Sequence, residues 1–362
     1  MSKNRILLFG SKIKNRCQEL NLYLALQNIG VDVEIVNPFS LSSNLHQLPE
    51  RDEGVFTLIR SFFYKYMKDG YNPENEHKII KLLRKLERKT MFLNSIDGLI
   101  VARDKLTIDA VLRELEIPHI PAYELKNHPD YLITWIDETA DRFENGIIIK
   151  DRFGGMGKGI LRVKKQGNVY LCDMSCIDGL DQEYVNIILN KGQLRNLFER
   201  YMARYILIGQ PYIKSEHEFR TETESESIRI LDIGQQAYVA MKRIAESPIN
   251  NLALTKNHVV NGSAQKTDAT SQEIEFSRIL SQYLGLFLAG HDFIRTSIEY
   301  YPTETGALWI PENMRKKGDI SVLLEPNGNV QYCGIQELYK NQYNISSIIA
   351  AQIQIILRNN TK

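Results

Sequence analysis

The sequence predicts an α/β (α+β) protein that begins with a βαβ domain and continues into two further α+β lobes. An apolar run at residues 5–9, a helical pattern at 17–28 and an alternating run at 31–36 follow one another, which is the signature of a βαβ unit with a parallel sheet. From residue 146 onward, strand-like runs follow in quick succession. The length of 362 residues suits two or three domains of ordinary size.

The composition excludes several classes of protein. Hydrophobic residues make up 43% and charged residues 25% of the chain, which is ordinary for a globular protein. The 45 Lys and Arg residues balance the 44 Asp and Glu residues, so no nucleic-acid partner is expected, because such binding needs a basic surface. No stretch approaches the roughly 20 apolar residues of a membrane-spanning helix. The first apolar run is too short for a signal peptide, and the four cysteines form no dense framework, so we expect a cytoplasmic protein without a membrane partner.

The elements of the first third follow from local patterns. Gly10 closes the first strand, and Gly30 ends the helix before the second strand. A charged helix is expected over residues 76–93, where apolar residues recur at helical spacing. The apolar run at 99–102 predicts another short strand, and a helix over 105–116 ends at two prolines.

The remaining two thirds are predicted to be mainly strands. The apolar strand 146–150 enters a glycine-rich loop at 151–160, after which a strand resumes, so the loop joins two strands. Further elements are expected as strands at 205–213, 227–233, 237–244, 292–298 and 320–325, and as helices at 272–289 and 344–358. The charged segment 215–227 is interpreted as a solvated hairpin or strand edge rather than an acidic interaction tail, because it is short and flanked by strands.

The glycine-rich loop and two lysines suggest a phosphate site. Glycine lets backbone N–H groups approach an anion closely, although glycine density alone fits a hairpin tip without a ligand equally well. Lys150 ends an apolar strand, where an unpaired ammonium is costly, so it needs an anionic partner. Lys105 opens a helix. Together these three elements could converge on a triphosphate.

Oxygen ligands occur near the end of the chain. Glu325 and Asn327 lie two residues apart after an apolar strand, and alternation places them on one face if the strand continues through Pro326. Asp292 heads the preceding strand. Carboxylate and amide oxygens are ligands that Mg²⁺ prefers, but P-N-G is also strong turn chemistry, and spacing alone favours the turn.

The motifs together resemble a known family. In order they are N-S-I-D-G-L-I-V-A-R-D-K-L (94–106), I-I-I-K with G-G-M-G-K-G-I (147–160), I-L-I-G-Q-P-Y-I-K (206–214), the paired strands of 228–243, A-G-H-D-F-I-R and L-L-E-P-N-G. Their order resembles the ATP-grasp superfamily, and in detail the branch of the ribosomal protein S6 glutamate ligase (RimK-like). The resemblance implies the ATP-grasp fold, with a pre-ATP-grasp domain at 1–98, a central lobe at 99–204 and a C-terminal lobe at 205–362.

The resemblance also implies the site residues and the cofactors, ATP with Mg²⁺ or Mn²⁺. The nucleotide contacts it implies are Lys105, Lys150, Gly154, Gly155, Met156, Gly157, Gln210, Tyr212, Ile213, Glu218 and Asn251. The implied metal ligands are Asp292, Glu325 and Asn327, and the implied catalytic residues are Arg243 and Lys150.

The sequence departs from the family pattern at two places in the nucleotide region. Pro211 replaces the usual Glu of the hinge strand and has no N–H to donate, so adenine contacts from Tyr212 and Ile213 are safer. Ser227 stands where the family usually has an Asp that contacts the ribose or the nucleotide. Either this contact is lost, or Glu218 supplies it after a shift of register.

The metal segments are spaced more widely than is usual in the family. Asp292 and Glu325 are 33 positions apart, which predicts an inserted loop around residues 301–318. A rival assignment uses Glu312 and Asn313, but Pro311 and the lack of a leading buried strand disfavour it.

The activity implied is that of an ATP-dependent carboxylate–amine ligase. Such enzymes form a peptide or isopeptide bond through an acyl-phosphate and release ADP and phosphate. The implied partners are small-molecule or peptide carboxylates and amines, and a homo-oligomer, dimer or tetramer, is compatible. No residue qualifies as a dedicated general base, since His291 would point away from Asp292 on its strand. Two alternatives stay open: an ATP-grasp enzyme forming amide or ester cross-links in a ribosomal precursor peptide, and a non-catalytic nucleotide-binding protein.

Overall fold

Three β-sheets organise the residues that the computed structural model describes, which are 5–9, 17–36, 55–59, 73–154, 159–174, 184–221, 224–246, 262–315, 318–328, 330 and 332–359. The strands are β1 Arg5–Phe9, β2 Asp32–Val36, β3 Val55–Ile59, β4 Met91–Phe92, β5 Tyr123–Glu124, β6 Ile147–Asp151, β7 Ile160–Gln166, β8 Val169–Met174, β9 Tyr184–Leu189, β10 Leu207–Pro211, β11 Ser225–Ile233, β12 Ala237–Ala245, β13 Gly262–Lys266, β14 Leu288–Ser297 and β15 Asp319–Asn327. The helices are α1 Cys17–Asn28, α2 Pro73–Glu87, α3 Ile96–Arg103, α4 Lys105–Glu114, α5 Pro129–Thr139, α6 Lys191–Met202, α7 Glu216–Thr221, α8 Ser271–Leu284, α9 Cys333–Tyr339 and α10 Ile345–Asn359. None of these helices combines the length and the apolar character that crossing a bilayer requires.

The N-terminal sheet is parallel and has the strand order β2-β1-β3-β4. α1 lies between β1 and β2 in the chain, so the predicted βαβ unit is confirmed. The helix forms because Leu22, Ala25 and Leu26 recur at helical spacing and are buried. β3 was not anticipated, since its five residues are too few to give a clear period.

Residues 99–102 form a helix, so the predicted strand is wrong. They belong to α3, which begins after Ser95, whose hydroxyl accepts the Gly98 N–H at 3.2 Å. Leu99 and Ala102 are buried at the three-residue spacing of a helix face. A run of four apolar residues has no decisive period, so the local pattern could not separate strand from helix.

Two helices end earlier than predicted. α2 ends at Glu87 instead of residue 93, and α8 ends at Leu284 instead of residue 289. Gly285 ends α8 because it adopts φ +62°, the left-handed conformation that favours glycine at a helix C terminus. The apolar residues after Gly285 therefore lead into β14, which begins four residues before the predicted strand.

The central sheet is antiparallel and has the order β5-β10-β6-β7-β8-β9. The glycine-rich loop joins β6 to β7, as predicted. The C-terminal sheet is antiparallel with the order β13-β12-β11-β14-β15.

The charged segment 215–227 is not a solvated hairpin, so this interpretation is wrong. It contains α7, whose first turn is fixed by a hydrogen bond from the Glu218 N–H to Ser215 Oγ at 3.1 Å. Glu216 and Glu218 in that turn complement the positive end of the helix dipole. The segment then enters β11, which is an interior strand of its sheet.

A hydrophobic cluster joins the N-terminal domain to the C-terminal lobe. Leu22 and Leu26 of α1 and Ile349 and Ile353 of α10 are buried members of this cluster. Gln354 Nε2 also donates to the carbonyl of Ile29 at 3.2 Å. Helix α10 thus joins the N-terminal βαβ unit to the C-terminal sheet.

Candidate active site

Lys150 faces the C-terminal lobe from β6. Its Nζ lies 4.0 Å from Glu325 Oε2, and its side chain is only 11% exposed. Burial lowers the pKa of Lys150 to about 8; Glu325 raises this value, and the neighbouring ammonium of Lys105 lowers it. The two predicted lysines and two of the predicted metal ligands, Asp292 and Glu325, therefore lie near one another, and we call the region between β6 and β15 the cleft.

Lys105 is the first residue of α4. Asp104 precedes it as the N-cap and accepts the Leu106 N–H at 3.1 Å. Lys105 Nζ donates to the carbonyl of Gly154 at 2.5 Å, and thus touches the start of the glycine-rich loop. A bidentate ion pair between Arg152 and Asp104, at 2.7 and 2.6 Å, fixes the helix start to the end of β6.

Four of the predicted nucleotide contacts lie outside the described residues. They are Gly155, Met156, Gly157 and Asn251. Of the predicted loop contacts, only Gly154 lies among the described residues. Its carbonyl is held by Lys105, so the one described loop contact adjoins one of the two lysines.

The predicted hinge lies at the end of β10. Some of its polar groups make hydrogen bonds within the described fold, and others do not. Gln210 Nε2 donates to the carbonyl of Ile120 at 2.9 Å, so this side chain makes a hydrogen bond within the fold. The Tyr212 N–H donates to the carbonyl of Gly146 at 2.9 Å. Within the described part of the chain, no hydrogen bond uses the Ile213 N–H. Of the predicted adenine contacts, Ile213 therefore offers the available backbone donor.

Glu218 is a buried carboxylate beside the hinge. Tyr212 donates its hydroxyl to Glu218 Oε2 at 2.8 Å. Burial raises the pKa of Glu218, although Tyr212 and nearby cations lower it in part. Ser227 Oγ, the rival for the nucleotide contact, is buried on β11 without a hydrogen-bond partner among the described residues.

A buried ion pair supports Tyr212 from the central sheet. The guanidinium of Arg162 lies 4.2 Å from the centre of the Tyr212 ring and 3.2 Å from Asp173. The pair was not predicted from the sequence. The signal available was a charged residue within each of two apolar strands, which predicts pairing because isolated charges are costly to bury.

The predicted metal ligands come together through strand register. Asp292 on β14 is paired with Glu325 on β15, and Gly290 is paired with Asn327. β15 continues through Pro326, so Glu325 and Asn327 lie on one face, and the turn alternative is wrong. The predicted insertion is confirmed, because the long connection between β14 and β15 accounts for the 33 positions.

Two arginines grip the first of these carboxylates. Arg229 donates to both Asp292 oxygens, at 2.7 and 2.6 Å, and Arg243 donates to Oδ1 at 3.0 Å. Burial alone would raise the pKa of Asp292, but the two guanidinium groups lower it below its usual range. Arg229 was not among the predicted site residues, because its register opposite Asp292 is set by the fold.

The donor set suits a hard cation. Asn327 Nδ2 donates to Asp292 Oδ2 at 3.2 Å, so with the three arginine bonds four donors face this carboxylate, and a cation bound there would displace at least one of them. The described residues contain no cluster of three or more His, Cys, Asp or Glu side chains. Two carboxylates and one amide instead suit Mg²⁺ that shares its remaining positions with water and phosphate. The rival residues Glu312 and Asn313 lie exposed on a 3₁₀ turn.

His291 takes no part in this surface. It is fully buried on the opposite face of β14, where its Nε2 lies 2.9 Å from Ser281 Oγ. Burial lowers the pKa of His291 to about 4, so it is neutral near pH 7. This placement agrees with the predicted orientation.

The chain is similar in sequence and in fold to known ligases. No protein-family profile matches the chain. The tetrahydromethanopterin:α-L-glutamate ligase of Methanococcus maripaludis is 22% identical over 270 residues, which cover 74% of this chain and 78% of that protein.

Two solved structures resemble the whole chain. The ATP-grasp ligase PsnB, complexed with a phosphomimetic variant of its minimal precursor, Mg and ADP, aligns with a TM-score of 0.56 at 14% identity and covers 100% of both chains. A RimK-domain ATP-grasp protein from Sphaerobacter thermophilus aligns with a TM-score of 0.56 at 13% identity, over 97% of this chain and 99% of that one. The chain therefore has the ATP-grasp fold, as predicted.

Proposed function

We propose that this protein is an ATP-dependent carboxylate–amine ligase that uses Mg²⁺ and forms an acyl-phosphate intermediate. The observation that carries the proposal is the 4.0 Å approach of Lys150 Nζ to Glu325 Oε2. The ammonium of Lys150, on the central sheet, therefore faces the carboxylate of Glu325, on the C-terminal sheet. A magnesium-bound triphosphate needs groups of both charges, because its phosphates require cations and its metal requires oxygen ligands.

Each candidate residue has a role that follows from its charge and position. Lys105 and Lys150 neutralise the phosphates, while Asp292, Glu325 and Asn327 hold the metal. Phosphoryl transfer depends mainly on such neutralisation and on alignment, so the lack of a dedicated base is no obstacle. When bound, ATP supplies the phosphoryl group that activates the substrate carboxylate.

Arg243 and Arg229 both donate to the proposed metal ligand Asp292, and for this reason we assign Arg243 to bind the acyl-phosphate. Its guanidinium stabilises the phosphate charge and the oxyanion of the tetrahedral intermediate when an amine attacks the acyl carbon. The carbon–oxygen bond then breaks and phosphate leaves. The loop between β6 and β7 would exclude water, because hydrolysis of the acyl-phosphate is the competing loss.

A peptide substrate is the second candidate for this chemistry. The structure of PsnB contains a precursor peptide, and the likeness to it extends over the full length of both chains. We therefore include peptide carboxylates and amines among the candidate substrates, beside free amino acids. A peptide that stimulates ADP release and gains a cross-link would support this form of the proposal.

The test measures nucleotide turnover with candidate acids. Purified protein with Mg·ATP should release ADP only when its acid is present, and hydroxylamine should trap the activated acid as a hydroxamate. Acid-dependent ADP release without an amine acceptor would still indicate the activation step. Nucleotide binding with no turnover across a broad panel of acids and peptides would contradict a ligase and favour a non-catalytic nucleotide-binding protein.

A further inference from the structure

The insertion between β14 and β15, residues 298–318, crosses from the C-terminal lobe to the central lobe. We call it the cross-lobe segment. Its Gly306 carbonyl accepts the Tyr123 hydroxyl at 3.3 Å, and its Thr305 carbonyl accepts Arg142 Nη2 at 3.1 Å. Tyr123 and Arg142 both lie in the predicted central lobe. The segment is therefore attached to both sides of the cleft.

Trp309 makes the tightest of these crossings. Trp309 and His119 exchange two backbone hydrogen bonds, of 3.1 and 3.0 Å. Their rings are stacked with centroids 5.1 Å apart at an interplanar angle of 29°. His119 is 1% exposed, so this contact is a packed seam and not a surface encounter.

The seam leads to the helix that begins with Lys105. His119 Nε2 lies 3.2 Å from Asp109 Oδ1, and the Arg113 guanidinium lies 5.8 Å from the centre of the Trp309 ring. Asp109 and Arg113 are both in α4 and are joined to each other at 2.8 Å. Asp109 is one helical turn from Lys105, so a contact at Asp109 fixes the end of the helix that carries the ammonium.

We propose that Trp309 is a positioning residue that holds α4, and with it Lys105, at a set distance from the metal ligands of the C-terminal lobe. This inference rests on the proposed function and deepens it. Loss of the Trp309 ring would leave the backbone hydrogen bonds of Trp309 and Leu323 to hold this point, so α4 would move more freely relative to the strand that carries Glu325. Nucleotide affinity would then fall even though every residue that touches the nucleotide is present.

The experiment compares Trp309→Ala with Trp309→Phe and with Tyr300→Ala. Tyr300 is the matched control, because it is an aromatic residue of the same segment that stacks on Phe219 within the C-terminal lobe, at 4.0 Å. Trp309→Ala should weaken Mg·ADP binding about tenfold in calorimetry, whereas Trp309→Phe and Tyr300→Ala should stay within about threefold of wild type. Trp309→Ala should also speed hydrogen exchange of Lys105–Glu114 without nucleotide.

Two outcomes would overturn the inference. Hydrogen exchange of α4 could be unchanged in Trp309→Ala, or Tyr300→Ala could weaken Mg·ADP binding as much as Trp309→Ala does. If Trp309→Ala does not fold, His119→Asn removes the other ring of the stack together with its approach to Asp109, and carries the same expectations. The exchange measurement needs no nucleotide, so it can contradict this inference separately. A wild-type protein that binds no Mg·ADP would instead contradict the proposed function.

Discussion

Arg229 and Asp292 are paired across neighbouring antiparallel strands, and the guanidinium donates to both carboxylate oxygens at 2.7 and 2.6 Å. Replacing Arg229 by Met would leave the buried Asp292 short of its main partner, which we expect to cost about 3–5 kcal/mol of the free energy of unfolding. The double variant Arg229→Met with Asp292→Asn should regain most of the lost free energy of unfolding, but it should release no ADP. Chemical denaturation and an ADP assay measure both effects.

Arg195→Met is the matched control for this pair. Arg195 donates to Asp130 at 3.0 Å, but both side chains are about half exposed. Such surface pairs contribute about 0–1 kcal/mol, so this variant should unfold almost as wild type does. Equal losses from Arg229→Met and Arg195→Met would show that the strand-to-strand pair is not a strong interaction.

Lys150→Met should abolish ADP release without unfolding the protein. Burial lowers the pKa of Lys150 to about 8, so its ammonium is held in the fold at a cost, and its removal should leave the melting temperature equal or higher. Lys165→Met is the control, since Lys165 lies on the neighbouring strand β7 and pairs with Asp137 at 3.0 Å. Unchanged ADP production by Lys150→Met would remove Lys150 from the site.

Glu325→Gln should raise the Mg²⁺ concentration required for half-maximal activity by about tenfold or more, because an amide binds a hard cation more weakly than a carboxylate does. A magnesium titration of ADP release measures this. Glu312→Gln tests the rival assignment and should leave the titration unchanged. The reverse pattern would place the metal at the cross-lobe segment.

Glu218→Gln and Ser227→Ala separate the two candidates for the ribose contact. Glu218 lies beside the hinge residue Tyr212, so its replacement should weaken ATP binding about tenfold. The same replacement should weaken 2′-deoxy-ATP binding less if the carboxylate accepts the 2′-hydroxyl. A large effect of Ser227→Ala with none of Glu218→Gln would assign the contact to β11.

Asp232 should make stability depend on pH. It is fully buried, and burial raises its pKa to about 7, while Ser281 and the Gln235 N–H lower it in part. Tyr238 faces it from β12, and His291 of β14 reaches it through Ser281. The folded state therefore binds more protons than the unfolded state between about pH 4 and pH 7, so the free energy of unfolding falls as pH rises through this window.

Asp232→Asn tests this by removing the titration. The variant should match wild type near pH 4 and be more stable above pH 7, by at most about 4 kcal/mol. Asp141→Asn, at an exposed position, controls for the loss of one carboxylate. Parallel stability curves for wild type and Asp232→Asn from pH 4 to pH 8 would contradict the prediction.

Local patterns placed two of the helices closely. α1 was predicted at the residues it occupies, and α10 was predicted within one residue at each end. Residues 99–102 were assigned wrongly, because the helix there is set by the Ser95 cap and by packing against its neighbours. The short helix α7 was missed for the same reason, since a six-residue helix depends on its caps and contacts.

The sequence by itself determined the opening βαβ unit, the glycine-rich loop between two strands and the residue types that a nucleotide and a metal require. It also predicted that Asp292 and Glu325 are joined by an insertion. Only the tertiary structure decided that this insertion crosses to the central lobe, that Arg229 grips Asp292, and that Lys150 faces Glu325. The physical reason is that such contacts join residues distant in the chain, and strand register and lobe packing, which no local period encodes, bring them together.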